Sequence, residues 1–381
     1  MSRILLVSNY GWTIYNFRRN LIDALRHTGH EVFVQTEFDG YERRLGLETN
    51  HVFPLDIDRK GVNPFRDVRT IFSIYRRIKS VKADLCLFFT IKPVIYGGIA
   101  ATLSFIPFIS NVTGLGAAFS GPTWLRTVAK ALYMVALARA ARVFFQNADD
   151  MRLFLSAGLS NSARTELLPG SGVDLARFST VPYPENQSPT FLLIARLLRD
   201  KGVAEFVEAA RLVKVRRADA IFQILGPLGV VNPSAISREQ MEIWVREGSV
   251  KYLGETDNVV PYIAAADCVV LPSYYGEGVP RTLLEAAAMA RPIITTDHAG
   301  CRDAVDDGIT GSLCKVRDSG DLAEKIDQLI NLPPLRRAEI GRRGREKMER
   351  EFDERIVIAR YGAAIEAALP GIHTTFDETR P

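Results

Sequence analysis

The sequence predicts an α/β protein with two domains, each a parallel sheet covered by helices on both faces, that face each other across a deep cleft. The chain has 381 residues, whereas a single hydrophobic core seldom grows beyond about 250–300 residues. Its composition, 47% hydrophobic and 24% charged, provides apolar residues for two cores. Short apolar runs alternate with helical patterns in two separate series, which is typical of two parallel sheets.

A proline-rich segment over residues 179–190 separates the two series. Segments of this composition commonly join domains, because proline neither continues a helix nor pairs in a central strand. We therefore expect a first domain over residues 1–180, a second domain over 190–352, and a final helix over 353–370 that crosses back to the first domain.

The first domain begins with an apolar run over residues 4–8 that ends in a turn at Gly11, which predicts a buried parallel strand. Asn16 is expected to cap the next helix and Gly29 to end it. Further strands are predicted near 31–36, 84–89, 107–112 and 142–146, with helices near 66–82 and 124–140.

The second domain repeats this alternation after residue 190. Strands are predicted at 190–195, 220–226, 250–254, 268–273 and 292–296, and helices at 202–215, 237–247, 281–290 and 320–330. Ligands of such open sheets bind outside the carboxyl ends of the strands. The loops that follow the strands are therefore the places to look for functional residues.

Two other classes of protein fit the sequence poorly. The four cysteines form no C-x-x-C pair, so we expect neither a disulfide framework nor a zinc site, as in a reducing cytoplasm. The first residues are too short an apolar run for a signal peptide. The longest uncharged run, Val94 to Ser110, has 17 residues and contains Gly97, Gly98 and Pro107, which favours a buried helix and strand over a membrane span of about 20 residues.

The first cluster of interest follows the first strand of the second domain. Arg196 stands at the end of that strand, and Lys201 precedes a helix that Gly202 would open. Free N–H groups and the dipole of a helix start add to the charge of two cations, so this turn suits a diphosphate. The alternative is a solvated basic turn with no ligand.

The second cluster follows the strand at 268–271. Glu277 lies in a glycine-rich loop between Gly276 and Gly278, and Glu285 lies eight residues further on, in the first turns of a helix. Carboxylates in such places accept hydrogen bonds from vicinal hydroxyls of a ribose or sugar. The alternative is that Glu285 only complements the helix dipole and Glu277 is a loop charge.

Arg196-x4-Lys201 followed by Glu277-x7-Glu285 resembles the retaining family 4 glycosyltransferases, which have the GT-B fold of two Rossmann-like domains. The resemblance covers nearly the whole chain, including residues 173–178. Four segments of the first domain are similar to a narrower group, the bacterial N-acetylhexosaminyltransferases that act on undecaprenyl-diphosphate-linked sugars. These segments lie at residues 14–18, 63–65, 91–93 and 113–116.

The resemblance implies roles by position. Arg196 and Lys201 would hold the diphosphate of a UDP-sugar donor, and with Glu277, which would contact the donor sugar near the reacting carbon, they form the catalytic set. Glu285 would bind the ribose hydroxyls. The donor site would also include Gly11, Gly226, Leu253, Gly278, Val279 and Pro280. The acceptor side would include Thr113, Arg18 and Lys92, and neither a metal nor a cofactor is expected.

Two positions depart from the family pattern. Pro280 stands where many members have glycine, which changes the loop around the donor sugar. No histidine occurs between His51 and His298, although many members place one in the first-domain cleft. Thr113 is the nearest polar candidate there, so the group that assists the acceptor is left undefined.

The charge of the chain is divided unevenly. Residues 1–180 hold 22 basic and 14 acidic residues, a net +8, whereas the whole chain has +4. A basic half suggests an anionic partner, such as a membrane surface, a phosphorylated acceptor or nucleic acid. With a lipid-linked acceptor, the basic helices near 66–82 and 124–142 suggest a peripheral protein on the cytoplasmic face of the inner membrane. No nucleic-acid partner is expected, because the acids Glu277 and Glu285 suit a sugar nucleotide better than a polyanion. The alternative is a pair of ordinary amphipathic helices with solvated basic faces.

Other signals are weaker. Asp56-Ile57-Asp58 matches a metal-binding D-x-D string, but Arg59 and Lys60 follow it, and we interpret it as a surface loop. Asp149 and Asp150 are interpreted as acids at a helix start. Two rival functions are a UDP-sugar epimerase, which would need no acceptor, and a non-catalytic protein that binds membrane or nucleic acid.

Overall fold

The computed structural model describes residues 1–58, 61, 63–115, 119, 123–276 and 278–370. The chain divides into two compact units. The first contains Met1–Ser171, Gly276–Gly278 and Arg355–Pro381, and the second contains Gly172–Tyr275 and Val279–Glu354. The two sheets confirm the predicted fold class of two Rossmann-like parallel-sheet domains.

The boundary between the units lies at Ser171 and Gly172, earlier than the predicted end of the first domain at residue 180. The proline-rich segment thus belongs to the second unit. The reason is a buried arginine: the guanidinium of Arg291 donates hydrogen bonds to the carbonyls of Val181 (3.2 Å) and Pro182 (2.7 Å). A segment that satisfies a buried charge in this way is part of the domain core.

The first unit contains a seven-stranded parallel sheet in the order β3-β2-β1-β4-β5-β6-β7. The strands are β1 (Arg3–Ser8), β2 (Glu31–Thr36), β3 (Val52–Pro54), β4 (Leu85–Phe89), β5 (Phe108–Val112), β6 (Arg142–Phe145) and β7 (Thr165–Leu167). The helices are α1 (Gly11–His27), α2 (Pro64–Val81), α3 (Ile91–Ser104), α4 (Thr123–Leu137), α5 (Ala148–Ser156) and, from the end of the chain, α12 (Glu354–Ala368).

Two apolar clusters hold this sheet between its helices. On one face, α1 and α12 pack on strand residues such as Ile4 and Leu6. On the other face, α2, α3, α4 and α5 pack on residues such as Cys86 and Phe88. The return helix α12 is fixed by Tyr361, whose hydroxyl accepts a hydrogen bond from Asn111 Nδ2 at 2.7 Å.

The second unit contains a six-stranded parallel sheet in the order β10-β9-β8-β11-β12-β13. The strands are β8 (Thr190–Ile194), β9 (Ile221–Leu225), β10 (Lys251–Tyr252), β11 (Cys268–Leu271), β12 (Ile293–Thr296) and β13 (Gly311–Cys314). The helices are α6 (Val203–Arg216), α7 (Arg238–Arg246), α8 (Val260–Ala265), α9 (Arg281–Ala288), α10 (Ser319–Ile330) and α11 (Pro334–Lys347).

Local sequence signals predicted most of these elements, and three exceptions are instructive. The strands that the sequence did not reveal, β3, β7 and β13, all lie at sheet edges, where strands are short and less apolar.

The uncharged run at 94–110 is the expected buried helix and strand, α3 and β5. Among the described residues, no helix is both long and apolar enough to span a bilayer.

The predicted cap at Asn16 is wrong. Helix α1 begins at Gly11, and Asn16 lies in its second turn, where its Nδ2 donates to the carbonyl of Trp12 at 3.0 Å. The first turn is satisfied instead by Asp39 from the loop after β2, whose carboxylate accepts from the backbone N–H of Trp12 at 2.9 Å. Gly29 has φ +85° just after the helix, as expected of a terminating glycine.

Gly226, at the end of β9, has φ +147°, and a Cβ placed there would lie 1.8 Å from the carbonyl oxygen of Ala195. Gly229 also has a positive φ, +78°, but a Cβ there would meet nothing within 4 Å. We expect Gly226→Ala to destabilise the protein by about 2 kcal/mol or more beyond Gly229→Ala, because both introduce backbone strain and only the first introduces a clash. Urea unfolding of the two variants measures the difference, and equal free energies of unfolding would contradict this packing.

Candidate active site

The candidate site of the second unit lies where three neighbouring strands end. Strands β9, β8 and β11 are adjacent and parallel, so the turns after them meet at one edge of the sheet. These turns contain Gly226, Arg196 and Ser273 respectively. Ligands of open α/β sheets bind at this edge.

Arg196 and Lys201 share one aromatic ring. The guanidinium carbon of Arg196 lies 5.8 Å, and Nζ of Lys201 lies 5.3 Å, from the ring centroid of Tyr275. Arg196 is exposed, whereas Lys201 is 6% exposed. The face of an aromatic ring attracts cations, so Tyr275 holds two positive charges close to the start of α6. This ring was part of the motif in the sequence, but its role was not recognised.

The two loops that carry these side chains are joined through their backbones. The carbonyl oxygen of Asp200 accepts hydrogen bonds from the backbone N–H of Tyr274 (2.9 Å) and from Oγ of Ser273 (3.3 Å). Gly202 has φ +74°, and a Cβ there would lie 2.1 Å from the carbonyl oxygen of Pro272. Only glycine permits this approach, which fixes Lys201 immediately before the first turn of α6.

Glu285 projects from the second turn of α9 and is 14% exposed. Its Oε1 accepts a hydrogen bond from Nε of Arg281 at 3.0 Å, one helical turn earlier. Burial raises the pKa of Glu285, and the charges of Arg281 and Arg177 partly offset this effect. The burial of this carboxylate costs free energy when it is ionised, and its oxygens still have lone pairs available for hydroxyl donors.

Gly226 and Leu253 come together at the ends of β9 and β10. The backbone N–H of Gly226 donates to the carbonyl of Gly254 at 2.8 Å, and its own carbonyl accepts from the hydroxyl of Tyr252 at 3.0 Å. Leu253 donates its N–H to the carbonyl of Ile224 at 2.9 Å and is half-buried. The backbone groups of this corner are hydrogen-bonded, and Gly226 lies against Ala195, the residue directly before Arg196.

The glycine-rich loop is described only in part, because Glu277 lies outside the described residues. Gly278 is grouped with the first unit, where its N–H donates to the carbonyl of Thr113 at 3.0 Å. Val279 is buried in an apolar cluster of the second unit. Pro280 immediately precedes α9, with φ −61°, a value that proline adopts without strain.

In the first unit, the side chain of Asp39 packs directly against Gly11. A Cβ at Gly11 would lie 2.6 Å from Oδ1 of Asp39, so glycine is required here for the cap that Asp39 forms. The sequence gave no sign of this contact, because 28 residues separate the two positions. The glycine at position 11 is therefore explained by the packing of Asp39 against it, independently of any ligand.

Arg18 and Lys92 are both engaged within the first unit. Arg18 is 3% exposed, with its guanidinium carbon 4.7 Å from the ring centroid of Phe89. Nζ of Lys92 donates to Oδ1 of Asp67 (2.9 Å) and to the carbonyl of Gly61 (2.8 Å). Asp67 was missed in the sequence, where nothing connects it with a lysine 25 residues away.

Two pairs of acids in the first unit, Asp56 with Asp58 and Asp149 with Asp150, lie in a loop and at a helix start respectively. The Asp56 side chain is 77% exposed and lies 3.7 Å from Arg69, while Asp58 lies 3.5 Å from Arg66. Arg59 and Lys60 lie outside the described residues. The acids Asp149 and Asp150 occupy the first turn of α5. Within the described ranges, no group of His, Cys, Asp and Glu is arranged to hold a metal ion.

The buried carboxylate leads to a pH prediction. Glu285→Gln keeps an oxygen for Arg281 but removes the ionisable group. Because the pKa of Glu285 in the folded state is raised above the ordinary 4.5, its ionisation disfavours folding, and the stability of the ligand-free wild type should fall relative to E285Q as pH rises above about 4.5. Urea unfolding across this range measures it, with the exposed-site variant Glu324→Gln as control. A stability difference between the wild type and E285Q that does not change with pH would contradict the raised pKa of Glu285.

Solved structures show the same fold over nearly the whole chain. Sucrose-phosphate synthase from Thermosynechococcus elongatus superimposes with a TM-score of 0.80 at 19% identity, covering 96% of this chain and 98% of that one. HepE from Anabaena, in complex with UDP and glucose, superimposes with a TM-score of 0.74 at 20% identity, covering 97% and 100%.

Two sequence relatives are lipid-linked sugar transferases. The N,N'-diacetylbacillosaminyl-diphospho-undecaprenol alpha-1,3-N-acetylgalactosaminyltransferase of Campylobacter jejuni is 29% identical over 377 residues, which cover 94% of this chain and 97% of the relative. The UDP-Gal:alpha-D-GlcNAc-diphosphoundecaprenol alpha-1,3-galactosyltransferase of Escherichia coli is 24% identical over 286 residues, covering 71% of each chain.

Family profiles match both halves of the chain. The family described as glycosyl transferases group 1 matches residues 188–332, and the one described as glycosyl transferase 4-like matches residues 3–147. The first range contains Arg196, Lys201 and Glu285. The chain is therefore a glycosyltransferase, with a glycosyl transferase 4-like domain in its first half and a glycosyl transferases group 1 domain in its second half.

Proposed function

We propose that this glycosyltransferase moves an N-acetylhexosamine from a UDP-sugar to an undecaprenyl-diphosphate-linked sugar in the assembly of a bacterial surface glycan. The transfer retains the anomeric configuration and needs no metal. The relative from Campylobacter jejuni supports the choice of sugar and acceptor, since its name gives both and it matches nearly the full length of the chain.

The observation that carries the donor assignment is the arrangement of two cations around Tyr275 at the start of α6. Arg196 and Lys201 lie within 6 Å of this ring centroid, and the helix start adds free N–H groups. A nucleotide diphosphate matches this site in charge. Leu253 and Gly226 form the wall against which the uracil base rests.

Glu285 binds the ribose in this proposal. Its carboxylate is held in place by Arg281 at 3.0 Å and accepts hydrogen bonds from the two vicinal hydroxyls. Glu277 contacts the transferred sugar near the reacting carbon. Val279 and Pro280, which lie directly before α9, complete the part of the donor site that the second unit supplies.

The chemistry explains why cations are needed. The departing UDP gains negative charge as the bond to the sugar breaks, and each preorganised donor aimed at such charge is typically worth about 3–4 kcal/mol of barrier. The acceptor hydroxyl attacks from the face that UDP leaves, and a phosphate oxygen of the donor takes its proton. Lys201 and Arg196 supply the stabilisation that a metal ion supplies in other transferases.

The acceptor side is formed by the first unit. Thr113 offers a half-buried hydroxyl at the end of β5, and Lys92, whose side chain is 14% exposed, offers one charge shared with Asp67. Arg18 is buried and fixes α1 against the sheet. Because the acceptor is anchored in lipid, the enzyme works at the cytoplasmic surface of the inner membrane.

Donor binding tests the proposal directly. Isothermal titration should detect binding of UDP to the wild type and binding weakened about tenfold or more in Lys201→Ala and Glu285→Gln, because each loses a charged contact to the ligand. Lys251→Ala, an exposed position at the start of β10, is the control and should bind as the wild type. Binding of GDP or ADP in preference to UDP, or unchanged affinity in both variants, would overturn the donor assignment.

Metal independence is tested by transfer itself. Turnover of the UDP-sugar with the lipid-linked acceptor should be unchanged in excess EDTA, because Arg196 and Lys201 neutralise the leaving diphosphate. Nuclear magnetic resonance of the product should show the same anomeric configuration as the donor. Loss of activity in EDTA that Mg²⁺ or Mn²⁺ restores would contradict this part of the proposal.

A further inference from the structure

Three neighbouring helices of the first unit carry exposed apolar side chains on their outer surface. Helix α3 packs between α2 and α4 on the sheet, and the side chains of all three that point away from the sheet form what we call the outer helical face. We include Phe105, which directly follows α3. The exposed large apolar residues of the face are Phe65, Val68, Phe72, Leu103, Trp124 and Val128, together with Phe105, Met134 and Val135.

Helix α2 shows that this exposure follows a helical stripe. Phe65, Val68 and Phe72 are 85%, 64% and 57% exposed, and their spacing of three and four residues places them on one side of the helix. The opposite side carries Ile74 and Ile78, which are buried in the core. The helix thus has a second apolar side in addition to the one that stabilises the fold.

Basic residues are interleaved with this stripe. Residues 64–82 include six Lys or Arg and one Asp, a net charge of +5, and residues 123–139 include three Lys or Arg and no acid. Arg69 and Arg76 lie on the same side of α2 as Phe72, and the guanidinium carbon of Arg76 is 5.8 Å from the Phe72 ring centroid. An apolar stripe with cations beside it matches the interface of an anionic bilayer.

The aromatic residues distinguish this face from the rest of the surface. Among the described residues, the exposed Phe and Trp side chains all belong to the first unit, and four of the six lie on the outer helical face. The exposed large apolar residues of the second unit are aliphatic or scattered, such as Val215 and Leu335. Trp favours the headgroup region of a membrane, and both Phe and Trp are common on the apolar face of helices that lie in that region.

The position of the face relates it to the acceptor side. In a parallel α/β unit, each helix begins at the edge where the strands end. Phe65 and Trp124 therefore lie at the first turns of α2 and α4, on the edge of the sheet at which β5 ends beside Thr113. A bilayer on this face would present a lipid-linked sugar close to that edge.

We propose that the outer helical face binds the surface of an anionic lipid bilayer, with Phe65, Phe72 and Trp124 in the headgroup region and Arg69 and Arg76 on lipid phosphates. The inference rests on the lipid-linked acceptor of the proposed function. Binding is peripheral and depends on both the aromatic residues and the basic ones.

Co-sedimentation with vesicles tests the proposal. The wild type should bind vesicles of equal parts phosphatidylcholine and phosphatidylglycerol and release at high salt, and it should bind pure phosphatidylcholine at least about tenfold more weakly. Phe65→Ser with Phe72→Ser should lower the partition coefficient on anionic vesicles by about tenfold or more. Val215→Ser with Leu335→Ser, which removes apolar side chains of the second unit that are at least as exposed, is the matched control and should bind as the wild type.

Activity separates this inference from the proposed function. The Phe65/Phe72 variant should transfer sugar to a water-soluble diphosphate-linked acceptor at the wild-type rate and lose about tenfold with the acceptor embedded in vesicles. Wild-type vesicle binding by that variant would overturn the docking face. A concentration-dependent dimer that the same variant abolishes, without any vesicle binding, would overturn it in favour of self-association. Absence of transfer to either acceptor by the wild type would instead overturn the proposed function.

Discussion

The candidate site depends on a single carbonyl. The oxygen of Asp200 accepts hydrogen bonds from the N–H of Tyr274 and from Oγ of Ser273, and it thereby joins the turn after β8 to the turn after β11. Without this link, Lys201 and Tyr275 would stand on two independent loops. With it, the cation and the ring are fixed relative to each other before any ligand arrives, so little conformational entropy remains to be lost on binding. Gly202 makes the link possible, because a side chain there would collide with Pro272.

The two turns and helix α9 hold charged side chains of the site in buried positions. Lys201 is buried against Tyr275, while Glu285 is buried one loop away, with its pKa raised by desolvation and its position fixed by Arg281. Desolvation of the Glu285 carboxylate costs free energy in the absence of a ligand. A ligand with vicinal hydroxyls would offset that cost, and its diphosphate would complement the charges of Arg196 and Lys201, so a sugar nucleotide suits the site better than a simple anion would. Other residues stabilise the fold of the second unit, namely those in the apolar clusters on the two faces of its sheet.

Sequence patterns predicted what local chemistry determines. The buried strands, the helix opened by Gly202 and the terminating Gly29 were all readable, because each depends on a few consecutive residues. Contacts between distant residues were not readable. Asp39 replaces Asn16 as the cap of α1 across a strand, and Arg291 fixes the proline-rich segment that resembled a linker. Tyr275 was visible in the motif, but only the structure brings its ring to Arg196 and Lys201. The pair Arg281 and Glu285, four residues apart on a helix, could have been predicted from spacing alone.

The most direct test of the central claim is a crystal structure of the protein with UDP. The account predicts the diphosphate within hydrogen-bonding distance of Arg196 and of Nζ of Lys201, the ribose hydroxyls on the carboxylate of Glu285, and the uracil against Gly226 and Leu253. UDP bound elsewhere on the chain, or bound at this edge with its ribose away from Glu285, would contradict it.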